Sequence, residues 1–195
     1  MSAADQLYAF YARANLTETA LDRAGRQSNL SSIELAHAEI AKLVAISSLD
    51  DELVDSASKM SLVYSAIAAF ENSVRYLISS TLAENVGENW WESCVSEKIR
   101  NAAKSRSDEE AKVRWHAQRG SDPINYTMLP NLINIIHQNH VPHFEPFIHS
   151  VEWARSIFDT LERSRNVVMH SGQLGERDLA RVGSAIKDWV SQVSA

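Results

Sequence analysis

Apolar residues recur at steps of three and four along one stretch: Leu53, Met60, Val63, Tyr64, Ile67, Phe70, Val74, Leu77 and Ile78. That spacing puts side chains on one face of a helix, whereas a strand would alternate with a period of two. A long helix with one buried face must be covered by other elements. The rest of the chain supplies helices for that purpose and no convincing strand. With only 6 Gly and 4 Pro, it also lacks the turn residues of a many-stranded protein. The expected class is all-α, a helical bundle with an N-terminal helical extension.

Residues 3–14 are short and apolar-rich, with Leu7, Tyr8, Phe10 and Tyr11. Ser31-Ser32-Ile33-Glu34 has the form of a capping box with Ser31 as N-cap. The helix it opens carries Leu35, Ile40, Leu43 and Val44 and fades at Ser47-Ser48. Asp50 or Asp51 is suited to cap the long helix, which runs to about Ala83. Gly87 breaks the pattern, and Trp90-Trp91 open a helix expected to continue through Val95 and Ile99. From Ala102 to Gly120 the chain is polar and basic, with its helicity open. Asp122-Pro123 is a turn signal. Helix resumes from Ile124 to about Asn139, with Met128, Leu129, Leu132, Ile135 and Ile136 apolar and Pro130 in the first turn. After a loop marked by Pro142 and Pro146, a helix is expected from about Pro146 to His170. Its stripe is Phe147, Val151, Ile157, Phe158, Leu161, Val167 and Val168, and Gly172 is its expected stop. The last helix, about Glu176 to Val193, carries Leu179, Val182, Ile186 and Trp189. The division of the chain is read as 1–50, the extension, and 51–195, the main helical domain.

Composition narrows the function. The net charge of -6 argues against a general nucleic-acid coating protein. The charge is uneven, however. Residues 1–97 hold 6 Lys/Arg against 14 Asp/Glu, a net of -8, while residues 98–119 hold 7 against 3, a net of +4. Such a basic segment either binds a polyanion locally or is a solvated helix face. Cys94 is the 1 cysteine, so an intramolecular disulfide and a cysteine-based metal site within one chain are both excluded. Beside Trp90 and Trp91, it reads as a small buried hydrophobe. No apolar run approaches the ~20 residues of a membrane span. The N-terminus lacks the form of a secretory signal, which makes the cytoplasm the expected location.

The chemistry concentrates in Arg165-Asn166-Val167-Val168-Met169-His170, followed by Ser171-Gly172. Arginine can hold a phosphate, histidine can move a proton near neutral pH, and the amide can orient either. That trio suits cleavage of an RNA backbone without a metal. On an ideal helix Asn166 and His170 share a face, while Arg165 and His170 stand about 140° apart. The bland alternative pairs Arg165 with Glu162 and sets His170 against the helix C-terminus. Glu71 and Arg75, four apart on the long helix, are a second candidate: among such apolar neighbours the pair is expected to be partly buried and suited to positioning a site arginine. His137, His140, His143 and His149 read as a polar loop, because Pro142 interrupts the helix on which they would gather a metal. Trp90 and Trp91 suit either base stacking or packing against a core or partner. No glycine-rich phosphate loop and no serine elbow is present.

Four blocks in order extend the reading: Phe70-Glu71-Asn72-Ser73-Val74-Arg75-Tyr76-Leu77, Gly87-Glu88-Asn89-Trp90-Trp91-Glu92, Ile124-Asn125-Tyr126-Thr127-Met128-Leu129, and Arg165-Asn166-Val167-Val168-Met169-His170-Ser171. Over roughly residues 60–190 the chain resembles the HEPN superfamily. The order of the blocks resembles the branch found as the C-terminal domain of a eukaryotic nuclear endoribonuclease that also carries a PIN domain. The resemblance implies a HEPN-like helical bundle that forms a homodimer, with two motif copies facing each other. It also implies metal-independent RNA cleavage, with no cofactor, often in toxins or bacterial antiviral defence. Carried over by position, Arg165, Asn166 and His170 are the catalytic candidates. Arg163, Ser171, Lys104, Arg106 and Arg114 are the candidate RNA contacts, with Glu71 and Arg75 supporting. An antitoxin or a larger defence complex is an expected partner. The competing expectation is a non-catalytic dimerisation or interaction module.

Overall fold

The computed structural model describes residues 32–193 together with Thr17. Every regular element among them is helical. The chain divides between Val54 and Asp55 into two units. In the first, α1 (Ser32–Leu43) is followed by a 3-10 turn (Ile46–Ser48), with Ala45 between them at φ 52°. The apolar stretch 3–14 and the expected cap Ser31 lie outside the described residues.

Helix α2 (Asp51–Val86) starts from a defined cap. Asp50 Oδ1 accepts hydrogen bonds from the Glu52 N–H at 3.0 Å and the Leu53 N–H at 3.3 Å, so Asp50 rather than Asp51 fills the role. Along α2 the buried positions are Val63, Ile67, Phe70, Glu71, Val74, Ile78, Thr81 and Leu82, one face at steps of three and four. Two residues expected on that face are off it: Leu53 and Tyr64 are exposed. Gly87 ends the helix at φ 95°, a backbone conformation that costs little only without a Cβ.

The second unit is completed by α3 (Trp90–Cys94), α4 (Glu97–Ala111), α5 (Leu129–Gln138), α6 (Val151–Met169) and α7 (Glu176–Val193). The helix expected from Trp90 through Ile99 is two helices, because Val95 is extended at φ -105°, ψ 127°. The Cys94 carbonyl freed by that break accepts a hydrogen bond from Asn139 Nδ2 at 2.9 Å. The expected helix from Ile124 is likewise delayed: Pro123–Tyr126 form a 3-10 turn, and α5 starts at Leu129, where Asn131 Oδ1 accepts the Met128 N–H at 3.0 Å. Residues His140–Phe144 form a wide π-type turn. Helix α6 begins at Val151 rather than near Pro146, because Ser150 Oγ caps it by accepting the Trp153 N–H at 3.1 Å. Phe147 therefore precedes the helix; within it the buried stripe is Ala154, Ile157, Phe158, Leu161 and Ser164, with Val151 and Val168 half-buried and Val167 exposed.

Helix α6 packs on both α5 and α7. Phe70 of α2, Phe158 of α6 and Trp189 of α7 meet edge to face, with ring centroids 5.4–5.6 Å apart, and Trp153 stacks on Trp189. Such pairs add about 0.5–1.5 kcal/mol beyond the area they bury. This aromatic centre fixes α6 against α2 and sets where the last turns of α6 carry their polar side chains.

Candidate functional site

Glu71 and Arg75 are neighbours one turn apart on α2, on the edge of its buried face. Their side chains are only 12% and 16% exposed, and Arg75 Nη2 donates to Glu71 Oε1 at 2.5 Å. Arg75 is fully engaged. It also donates to Asn72 Oδ1 at 2.9 Å, to the Thr127 carbonyl at 3.0 Å and to the Ile124 carbonyl at 3.3 Å. Arg106 of α4 holds the same segment by donating to the Tyr126 carbonyl at 2.8 Å. An irregular backbone segment needs partners for its carbonyls, and here two arginines provide them. The sequence block 124–129 is thereby clamped beside α2.

Across from it stands Arg165 of α6. Its Nε lies 3.9 Å from Glu71 Oε2, the same carboxylate that binds Arg75. Glu162, the alternative partner in sequence, is replaced by one from another helix. The resulting cleft encloses about 510 Å³ and is lined by Tyr64, Glu71, Asn72, Arg75, Arg106, Arg119, Asn125, Thr127 and Arg165, among others. Four guanidinium groups and one carboxylate line it, but Arg75 and Arg106 are committed to the clamped segment and Arg119 pairs with Glu110 at 2.6 Å, which leaves Arg165 as the arginine with most of its donors open to a phosphate.

The remaining motif residues stand elsewhere. Asn166 and His170 are exposed at the end of α6 and do not line the cleft. His170 is the C-cap residue, with its N–H on the Asn166 carbonyl at 3.2 Å. The helix then closes in a Schellman arrangement: the Ser171 N–H reaches the Val168 carbonyl at 3.1 Å and the Gly172 N–H reaches the Val167 carbonyl at 2.8 Å. The left-handed residue is Ser171, at φ 60°, and not the expected Gly172. Gly172 is demanded by space instead, since a Cβ there would lie 2.7 Å from Val167 Cγ1 and 2.9 Å from the Val167 carbonyl oxygen.

The candidate RNA contacts divide. Arg106 is in the cleft and largely committed to the backbone it clamps. Lys104 is exposed and paired with Asp108 at 3.0 Å. Arg114, Arg163 and Ser171 are exposed and outside the cleft. Tyr64, Asn72 and Asn125 are cleft residues beyond the site candidates read from the sequence. Tyr64 and Asn72 share the α2 edge with Glu71 and Arg75, so their helical spacing was the available signal.

Of the other candidates, Trp90 and Trp91 are half-buried against the core, with rings 5.6 Å apart. His140 Nε2 donates to the Ile148 carbonyl at 2.5 Å, and His137 Nδ1 lies 3.5 Å from Arg155 Nη2. Among the described residues no group of three or more His, Cys, Asp or Glu is arranged to hold a metal ion, and no helix is long and apolar enough to cross a membrane.

A family model described as Swt1-like HEPN matches residues 65–194, two thirds of the chain. The chain belongs to the Swt1-like HEPN family. The match begins within α2, one residue past Tyr64, runs to the end of α7 and leaves the first unit outside it. No curated protein and no solved structure matches the chain.

Proposed function

We propose that this HEPN protein is a metal-independent endoribonuclease with a composite site at a homodimer interface. The observation that carries the reading is an intact Arg165-Asn166-Val167-Val168-Met169-His170 sequence in a HEPN chain, with its arginine opening into an arginine-rich cleft. A ribose 2′-hydroxyl attacks the adjacent phosphate. His170 takes the hydroxyl proton, and a second His170 from the other protomer gives a proton to the leaving 5′-oxygen. Acid–base help of this kind typically contributes ~10²–10⁴-fold. Arg165 stabilises the charge that builds on the phosphorane, and Asn166 orients Arg165 or the phosphate.

The separation of His170 from the Arg165 cleft within one protomer supports a site shared by two. By family likeness, the setting is a toxin or antiviral defence system, held by an antitoxin or larger complex. The test is product chemistry in EDTA. Attack by the 2′-hydroxyl leaves a 2′,3′-cyclic phosphate and a 5′-hydroxyl, and a substrate with 2′-O-methyl at the cut is inert. Cleavage of that blocked substrate, or dependence on a divalent ion, overturns the mechanism.

A further inference from the structure

We infer that single-stranded RNA leaves the Arg165 cleft over Arg119 and stacks a base on Trp115. This rests on RNA being the substrate proposed above. Arg119 lines two adjoining clefts: the one that holds Arg165, and a second of about 490 Å³ lined by Glu110, Val113, His116 and Ala117. It is the point at which a chain could pass from one to the other. Trp115 lies in the segment that forms the second cleft and is 86% exposed. A large flat ring left in water, flanked by Arg114 and His116, has the chemistry of a base-stacking platform. Its ring meets the His116 ring edge to face at 5.7 Å, and the His116 imidazole is anchored to the Ala117 carbonyl at 2.9 Å.

The segment is held rather than loose. Arg119 Nε pairs with Glu110 at 2.6 Å, its N–H reaches the same carboxylate at 3.2 Å, and its guanidinium sits 5.9 Å over the Tyr126 ring. The Tyr126 hydroxyl donates to the Gly120 carbonyl at 3.2 Å. Arg114 is exposed and makes no ion pair among the described residues, so its charge is available to a phosphate. The unpaired charge of Arg114 and an open indole at one edge suit an unpaired strand, because a duplex keeps its bases out of reach of the indole.

The test is an equilibrium titration of the full chain with a labelled, unstructured 2′-O-methyl oligoribonucleotide, which binds without being cut by 2′-hydroxyl attack. Trp115→Ala should raise Kd by roughly tenfold, the low-to-middle range for losing one stacked base. Trp115→Phe should bind nearly as wild type, and the fluorescence quench on binding should shrink in both variants. Arg114→Ala should weaken binding and reduce the salt slope by about 0.7. Since the Trp115 ring is in water, Trp115→Ala should keep the wild-type unfolding midpoint. An unchanged Kd in Trp115→Ala overturns the track, as does equal binding of a duplex of the same sequence. Wild type that binds through Trp115 but never cuts unmodified RNA keeps the track and sinks the nuclease reading.

Discussion

One carboxylate serves two arginines from different helices: Glu71 Oε1 takes Arg75 at 2.5 Å, and Glu71 Oε2 faces Arg165 at 3.9 Å. The two contacts differ in kind. The short one is a hydrogen-bonded pair within α2, while the long one leaves most of the Arg165 guanidinium unclaimed. Glu71 thus holds the direction of Arg165 without consuming the donors a phosphate would need.

The short contact should show in stability. Glu71→Gln removes the charge opposite a guanidinium that is only 16% exposed. The expected loss is about 2 kcal/mol, the scale of a charge-assisted hydrogen bond. A urea-denaturation cycle with Arg75→Ala should give a coupling of about 1–3 kcal/mol, as for residues in one network. Additive losses would mean the pair contributes nothing as a pair.

The α6 terminus makes two substitutions move in opposite directions. Ser171→Gly should stabilise by about 1 kcal/mol, because Ser171 sits at φ 60° where a Cβ is penalised. Gly172→Ala should destabilise by roughly 1–3 kcal/mol, because the new methyl meets Val167 within 2.9 Å. Thermal unfolding of both variants checks the signs. If the Ser171 hydroxyl contacts RNA, as the HEPN resemblance implies, Ser171→Gly will be more stable yet weaker in RNA binding.

These positions also mark the limit of what was legible in the chain. The long helix, the Glu71–Arg75 pair and the helix before Gly172 are local patterns, and periodicity at three and four revealed them. The break at Val95 was hidden because the residue that satisfies the Cys94 carbonyl is Asn139, 45 positions away. Arg165 has a sequence neighbour of opposite charge in Glu162, yet its partner is Glu71, brought close by the Phe70–Phe158–Trp189 packing. The cleft combines residues from α2, α4, α6 and the segments around Arg119 and Asn125, so no single window contained it.

That aromatic packing is itself open to test. Phe158 is 1% exposed and touches both Phe70 and Trp189. Phe158→Ala should cost about 3–5 kcal/mol. Chemical denaturation measures it, and a loss below about 1 kcal/mol would contradict the packing described.

Cys94 gives a pH signature. Burial pushes its thiol above the ordinary cysteine value. The folded state therefore keeps the proton more tightly, and its contribution to stability is present below the ordinary thiol pKa and fades as pH rises past it. At pH 8 a thiol reagent should label native protein more slowly than unfolded protein. Equal rates would show an open thiolate.

The most direct measurement of the central claim is RNA cleavage in EDTA by wild type beside His170→Ala, each shown by circular dichroism to be folded. A metal-independent nuclease that uses His170 predicts cutting by the wild type and a loss of at least ~10²-fold in the variant, the low end of acid–base catalysis. Equal cleavage by both, or none by a folded wild-type dimer, would contradict it.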